Sequence, residues 1–499
     1  MTSTLTSRLR PGVPRLTHVP PLFLLTFVAA WLFFLSLGHR DLIASHEARA
    51  AQNAQRMLDE STFGLPTLFD GQVDLQKPPG FYWLVAGVSA IQGGEVTSFT
   101  TRLPAAIAGL LTTLVVYLSL RREQGEAIAM LASLALATAI HFTALSRIAR
   151  IDMPLTAAVS ASLFALLRGC EPTTISRFHW WLLAGFAAAV AVLLKGPIGL
   201  VLIAATAATF ALVERRLRSL LLPALVMGSV IILVTSPWFL WANHQTGGEF
   251  FRVFVWHHNV ARFLGTAPTL ASHPWWYYLP RFAVDFLPWT PAFALLTFWG
   301  LRNGLLRNRA FRLGLVWLVV MVLILSGSRF KRADYLLPAY PGAALMLGTA
   351  AMAWYRSRTS MLTRRFARSS FAGVVGLTMT AWPVYTHLLE PMLDAREGKR
   401  SFAEAIRREA PAPRQVLLFR VESHLLAFHL GRPLHTLVEW GELNDRLAAP
   451  GPHEIVTQPI YADEVKAILP HHRLEVIAKL EDFTGDAPPR PLVYLRKTN

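Results

Sequence analysis

Apolar runs of membrane-crossing length, separated by short arginine-bearing loops, constrain this 499-residue chain more than any other feature. A helix that crosses a bilayer needs about 20 mostly apolar residues, and it must satisfy its own backbone polar groups. Such runs lie at about residues 18–38, 103–120, 127–145, 154–168, 178–194, 197–213, 220–241, 279–300, 313–326, 336–355 and 367–388. The chain is 53% hydrophobic with mean hydropathy +0.39, above the soluble average. The expected fold is mainly α: a polytopic membrane helix bundle of about eleven spans. The basic N-terminus and the run Pro20 to Gly38 read as a retained helix, since that run is too long for a signal peptide and lacks a small-residue cleavage site.

The arginines set an orientation. They crowd the N-terminus (Arg8, Arg10, Arg15) and alternate loops, such as Arg121–Arg122, Arg215–Arg218 and Arg356–Arg368. Loops of this kind stay cytoplasmic. The opposite face then holds 39–102, 146–153, 242–278, 327–335 and everything after 389. These long segments carry most of the acids, histidines and aromatics, which places the chemistry outside the cytoplasm. The apolar stretch 82–92 is expected to be interfacial, because a span there would break the charge alternation.

Residues 1–394 are expected to form the membrane domain and 395–499 a small extracytoplasmic α/β domain. In the latter, Val416–Phe419, Glu454–Thr457, Leu474–Ala478 and Pro491–Leu495 read as strands, and Ser401–Glu409 and Asp463–Leu469 as helices. The net charge of +17 follows the topology pattern, which argues against nucleic acid as a partner. The single cysteine, Cys170, excludes an internal disulfide.

Polar groups are costly at a membrane, so the sixty-residue insert 39–102 reads as a site rather than a connector. In it, Glu47 and Arg49 open an amphipathic segment from His46 to Glu60. Glu47 is either a helix-end acid or a base or ligand lining a cavity. Lys77 precedes Pro78 and Pro79, which hold its backbone extended; a rigid cation at the membrane edge suits a phosphate, and snorkelling is the plain alternative. Asp152 lies beside Arg150 and two residues before Pro154. It reads as a helix cap, a positioned carboxylate, or both. Lys195 stands at an outer helix end. Arg262 and the cluster Arg329, Lys331, Arg332 and Tyr335 lie on the outer face, where three cations in a row violate the topology rule and call for an anion. His257 and His258 are adjacent, a weak signal for metal.

The ordered set Glu47-Ala48-Arg49, Lys77-Pro78-Pro79, Arg102-Leu103-Pro104, Arg150-Ile151-Asp152-Met153-Pro154, Lys195-Gly196-Pro197, Arg262-Phe263-Leu264, Pro288-Trp289 and Tyr335-Leu336-Leu337-Pro338 resembles the bacterial membrane glycosyltransferases of GT-C fold. It is most similar to the aminoarabinose lipid A transferases and the protein O-mannosyltransferases. The resemblance covers about residues 20–345. It implies transfer of a sugar from a polyprenyl (undecaprenyl) phosphate to a lipid or protein acceptor on the extracytoplasmic face of the bacterial inner membrane, with membrane lipids as further partners. It implies catalysis by Asp152 with Glu47, and phosphate binding by Lys77, Arg262, Tyr335, Arg329, Lys331 and Arg332. His46, Arg49, Arg150 and Lys195 are the implied sugar and substrate contacts.

Two departures stand out. The usual acidic pair is His46-Glu47 here, which shifts the catalytic role towards Asp152, with Glu47 or Asp41 assisting. In the aminoarabinose enzymes a metal ion is held by an acid and a histidine matching His257. Here Gln76 replaces that acid. A polyprenyl-lipid flippase or a catalytically dead lipid-binding scaffold are the rival classes. The absence of an internal repeat and the gathering of charge at one face weigh against a transporter.

Overall fold

The computed structural model describes residues 20–497 apart from 43, 70, 262–272, 393–398, 422–423, 433, 452, 469–472 and 482–490. Each of the eleven apolar runs coincides with a helix or a bent helix pair. The first ten helices are α1 (Pro21–Phe34), α2 (Ser45–Asp59), α3 (Gly80–Ile91), α4 (Ser98–Gln124), α5 (Glu126–Ala137), α6 (Ile140–Ser146), α7 (Asp152–Gly169), α8 (Arg177–Lys195), α9 (Pro197–Val213) and α10 (Leu221–Gln245). Further long helices cover Arg309–Gly327, Tyr340–Ser357 and Met361–Val384. Among the described residues, five helices are long and apolar enough to cross a membrane, or up to seven if each of two bent pairs is one span. The pairs are α5 with α6, bent by 68°, and Trp275–Asp285 with Thr290–Arg302, bent by 110°. Three shorter apolar helices, α1, α3 and α9, accompany them. The chain is a multi-pass membrane protein.

Local signals start the helices. Thr97 and Thr100 form a reciprocal capping box at α4, with Thr100 N donating to Thr97 Oγ1 at 3.2 Å and Thr97 N to Thr100 Oγ1 at 2.9 Å. The Asn308 side chain caps Arg309–Gly327. Helices α7 and α8 pack as neighbours joined by a short connection. At 1.5 Å rise per residue their similar lengths return the chain to the level at which α7 began. The first residue of α7, Asp152, therefore meets the last residue of α8, Lys195.

The C-terminal region carries a five-stranded sheet in the order β2-β1-β3-β5-β4. Its strands are β1 (Val416–Phe419), β2 (His435–Leu437), β3 (Glu454–Thr457), β4 (Leu474–Leu480) and β5 (Leu492–Lys497). β1 pairs in parallel with β2 and β3, while β5 runs antiparallel to β3 and β4. The four expected strands are present, and the expected helices appear as Lys399–Glu409 and Pro459–Ile468. The three-residue edge strand β2 and the helices His424–Leu430 and Trp440–Ala448 were not anticipated. Short elements at a sheet edge leave little periodicity to read.

Helix α2 does not lie bare on a membrane surface. It packs against α3, α4 and the helix His424–Leu430, and its residues Glu47 to Ala54 are all buried. An apparently amphipathic segment is thus roofed by the C-terminal region.

Candidate functional site

Three chain turns converge on one cavity of about 210 Å³. The first is the segment before α3. Gly80 starts that helix, and a Cβ there would stand 2.6 Å from the Leu193 carbonyl oxygen, so only glycine permits this approach to α8. The contact brings Lys77 beside Lys195. The second is the α8–α9 turn, where Gly196 adopts φ +83 with the Phe254 ring packed against it, and Pro197 opens α9. The third is the α6–α7 connection, which supplies Arg150 and Asp152. The loop carrying Phe330, Arg332, Asp334 and Tyr335 closes the cavity, and His46 of α2 completes it.

The charges are arranged in pairs. Lys195 Nζ donates to the Asp152 carboxylate and sits 4.0 Å from the Tyr335 ring centroid. Asp152 at the N-terminus of α7 and Lys195 at the C-terminus of α8 each meet the favourable end of a helix dipole. Arg150 donates to Asp334, which Arg332 Nε also approaches at 3.4 Å. Lys77 differs: it makes no hydrogen bond or ion pair with another described residue. Burial, with Arg49 next, pulls its pKa down to about 8, against the opposing pull of Asp74 and Asp152. Burial, reinforced by Lys77, Arg150, Arg332 and Arg49, holds the His46 imidazole neutral, far below the usual histidine range.

A second cavity of about 170 Å³ adjoins the first and shares Gln76, Lys77, Ile151, Lys195, Phe330 and Tyr335 with it. Leu155, Ile198, Leu202, Ile324 and Leu325 supply most of its remaining wall, so a largely apolar cavity adjoins the cationic one.

Of the residues singled out from sequence, His46, Lys77, Arg150, Asp152, Lys195, Arg332 and Tyr335 line the charged cavity. Glu47 does not. Its carboxylate is fully buried, receives Arg102 Nε at 2.9 Å and Nη2 at 3.1 Å, and accepts the Ala149 backbone N–H at 2.9 Å. Arg102 also donates to the carbonyls of Leu37, Arg40 and Asp41. Glu47 therefore holds backbone and guanidinium in place behind the cavity wall. Arg49 lies one layer out, 2.8 Å from His424 Nε2 and 3.6 Å from Asp74 Oδ1. Arg329 is exposed. Lys331 is buried but donates to the carbonyls of His273 and Ser328. Of Arg329, Lys331 and Arg332, only Arg332 lines the cavity. Arg262 lies outside the described residues.

A metal site does not assemble from the residues the resemblance pointed to. His257 is exposed, and Gln76 offers a neutral amide where a carboxylate would bind. Its neighbour His258 faces the apolar cavity instead. Among the described residues, no group of three or more His, Cys, Asp or Glu converges.

Sequence reasoning passed over Asp74, His141 and Asp285. Buried Asp74 accepts the Tyr82 hydroxyl at 3.0 Å and pairs with Arg49. His141 Nδ1 lies 3.0 Å from the Tyr340 hydroxyl and 3.4 Å from Asp285 Oδ2, and its Nε2 lies 3.7 Å from Asp334 Oδ1. For His141 and Asp285 the available signal was an ionisable residue inside an apolar run, which is costly unless partnered.

A family model described as dolichyl-phosphate-mannose-protein mannosyltransferase matches residues 76–241. The structure resembles the crystal structure of ArnT from Cupriavidus metallidurans bound to undecaprenyl phosphate, with TM-score 0.71 and 22% identity over 94% of this chain and 97% of that one. The apo form of the same protein gives TM-score 0.76 at 21% identity, with the same coverage. This is a GT-C-fold protein like the aminoarabinose transferases and O-mannosyltransferases. Among sequence relatives, an undecaprenyl phosphate-alpha-4-amino-4-deoxy-L-arabinose arabinosyl transferase of Pseudomonas fluorescens is 31% identical over 378 residues, 74% of this chain and 66% of its own. A namesake from Pseudomonas paraeruginosa is 31% identical over 68% of this chain and 61% of its own. The GT-C chain thus matches just under two thirds of the length of these relatives.

Proposed function

We propose that this GT-C chain transfers a sugar from a polyprenyl phosphate to a lipid or other cell-envelope acceptor on the extracytoplasmic face of the bacterial inner membrane. Lys77 carries the reading. An ammonium without a hydrogen-bond or ion-pair partner among the described residues, in a cavity that adjoins a largely apolar one, matches a phosphate on a lipid tail. The name of the bound carrier in the Cupriavidus structure supports the same match.

In this mechanism the tail occupies the adjoining, largely apolar cavity. Lys77, Lys195 and Arg332 surround the phosphate, with Tyr335 packed beside Lys195. The acceptor hydroxyl oxygen attacks the anomeric carbon opposite the phosphate. The bond from that carbon to the phosphate oxygen breaks, and its electron pair stays on the phosphate. Configuration inverts, and no covalent enzyme intermediate is needed. Fixed cations around the departing phosphate stabilise the charge that develops there, the largest kind of catalytic contribution in such a site. Asp152, fixed by Lys195, orients the hydroxyl and accepts its proton. Arg150 and Asp334 hold the floor against which the sugar rests.

The topology in this reading has eleven spans, with residues 1–394 in the membrane unit and the sheet-bearing region 395–499 outside. A larger cavity of about 620 Å³ lies behind Arg102 and Arg147 and is walled by Leu37, Ile140, Ile148, Leu377 and Trp382. Its apolar wall favours a lipid acceptor. The experiment incubates purified protein with radiolabelled polyprenyl-phosphate sugars and membrane lipid extract, beside an Asp152→Asn variant. Label reaching a lipid product with wild type alone supports the reading. Label on protein acceptors only would favour an O-mannosyltransferase-like activity, and carrier binding without transfer would favour a flippase or scaffold.

A further inference from the structure

The charges around the reaction cavity point to the class of sugar. Among the described residues, four cations line it, Lys77, Arg150, Lys195 and Arg332, against two carboxylates, Asp152 and Asp334, an excess of two positive charges. Among the described residues, the acids of the next layer do not cancel the excess, because each is matched by an arginine: Asp74 by Arg49, Glu47 by Arg102 and Asp285 by Arg281. A carrier phosphate in diester linkage to a sugar brings one negative charge. One positive charge is left in the cavity that also holds the sugar. In a buried cavity solvent and salt screen this residual field weakly.

The geometry points to a donor sugar that bears no ammonium group, a neutral or acidic sugar rather than an amino sugar. Like charges brought into a shared desolvated site repel. Two side chains of the cavity already respond to that field. His46 is held neutral and Lys77 has a lowered pKa, in each case by burial first and by neighbouring cations next. A third basic amine placed among them meets the same penalty. Positions 46 and 76 are the ones that set the balance. Each holds a neutral side chain on the lining, and a carboxylate at both would cancel the excess of two. This inference rests on the carrier-phosphate reading above and deepens it.

The test is competition of carrier-linked sugars against radiolabelled undecaprenyl phosphate on the full-length purified protein. The competitors are undecaprenyl phosphate bearing a neutral hexose, a hexuronic acid or 4-amino-4-deoxy-arabinose. The expected result is that the neutral and acidic donors displace the label at concentrations at least about tenfold lower than the amino sugar donor, a gap of about 1.4 kcal/mol. His46→Asp is expected to narrow that gap at least about threefold by adding a negative charge, and Arg332→Gln to narrow it in the same sense by removing a positive one. Either variant serves if the other fails to fold. Equal or tighter binding of the amino sugar donor by wild type overturns the inference and leaves carrier binding intact. Failure of labelled undecaprenyl phosphate itself to bind overturns the carrier reading and the sugar inference with it.

Discussion

At the scale of single residues, two lysines of the same cavity have different tasks. Lys195 lines the phosphate site already paired with Asp152 and packed on Tyr335. Lys77 faces the cavity with no ion-pair partner among the described residues. Replacing Lys77 with Ala should weaken carrier binding by about 1.5–3 kcal/mol, the usual worth of a charged hydrogen bond, read from displacement of labelled undecaprenyl phosphate. The lysine also predicts a pH dependence. Its pKa near 8 leaves it charged at neutral pH, and an anion favours that charged form. Carrier affinity should therefore fall as pH rises through about 8 and be retained below it, as Lys77, with Arg49, Asp74, Asp152 and Lys195 around it, loses its proton. The Lys77→Ala variant should lose this dependence. Glu47 and Arg102 behave differently. Arg102→Ala leaves a carboxylate buried without its cation, which costs about 3–5 kcal/mol, seen as a large drop in thermal stability of the detergent-solubilised protein.

At the scale of elements, close approach between helices sets the site. The Gly80 contact on Leu193 ties the start of α3 to the end of α8. Gly80→Ala forces the two apart at a cost of about 1–3 kcal/mol and moves Lys77 away from Lys195. Transfer should slow markedly in that variant while the protein still inserts in membranes, a split measurable by comparing turnover with expression in the membrane fraction. The sequence made such features only partly legible. Lys77 stood out because Pro78 restricts its backbone, and both Lys77 and Asp152 because charges at a membrane edge are rare. The pairing of Asp152 with Lys195 follows from two helices of similar length joined by a short turn, and was not read that way. Glu47 looked like a site residue because it opens a helix beside His46. Successive residues on a helix face different directions, about 100° apart at 3.6 residues per turn, so His46 meets the cavity while Glu47 turns to Arg102. Cations 329, 331 and 332 looked equivalent in a row, yet backbone carbonyls absorb Lys331 and solvent takes Arg329.

At the scale of the whole molecule, each of the eleven apolar runs became a helix or a bent helix pair among the described residues, because a bilayer penalises any other pattern. The runs did not reveal that the C-terminal region covers α2 through His424 and Gln52, since a contact between such distant segments leaves no local periodicity. The proposed sidedness is testable with the protein's single cysteine. Cys170 lies in a loop assigned to the cytoplasm, so a membrane-impermeant thiol reagent applied to intact spheroplasts should leave it unlabelled. Gly451→Cys in a Cys170→Ser background should label from outside. The opposite pattern would invert the topology. The clamp around Arg102 bears on chimeras. One guanidinium, borne on the first turns of α4, grips the carbonyls of Leu37, Arg40 and Asp41 as well as Glu47. The loop and the opening of that helix are therefore a single transplantable cassette. A graft cut at Ser98 would leave its own fastener behind, whereas one cut past Arg102 would carry it along.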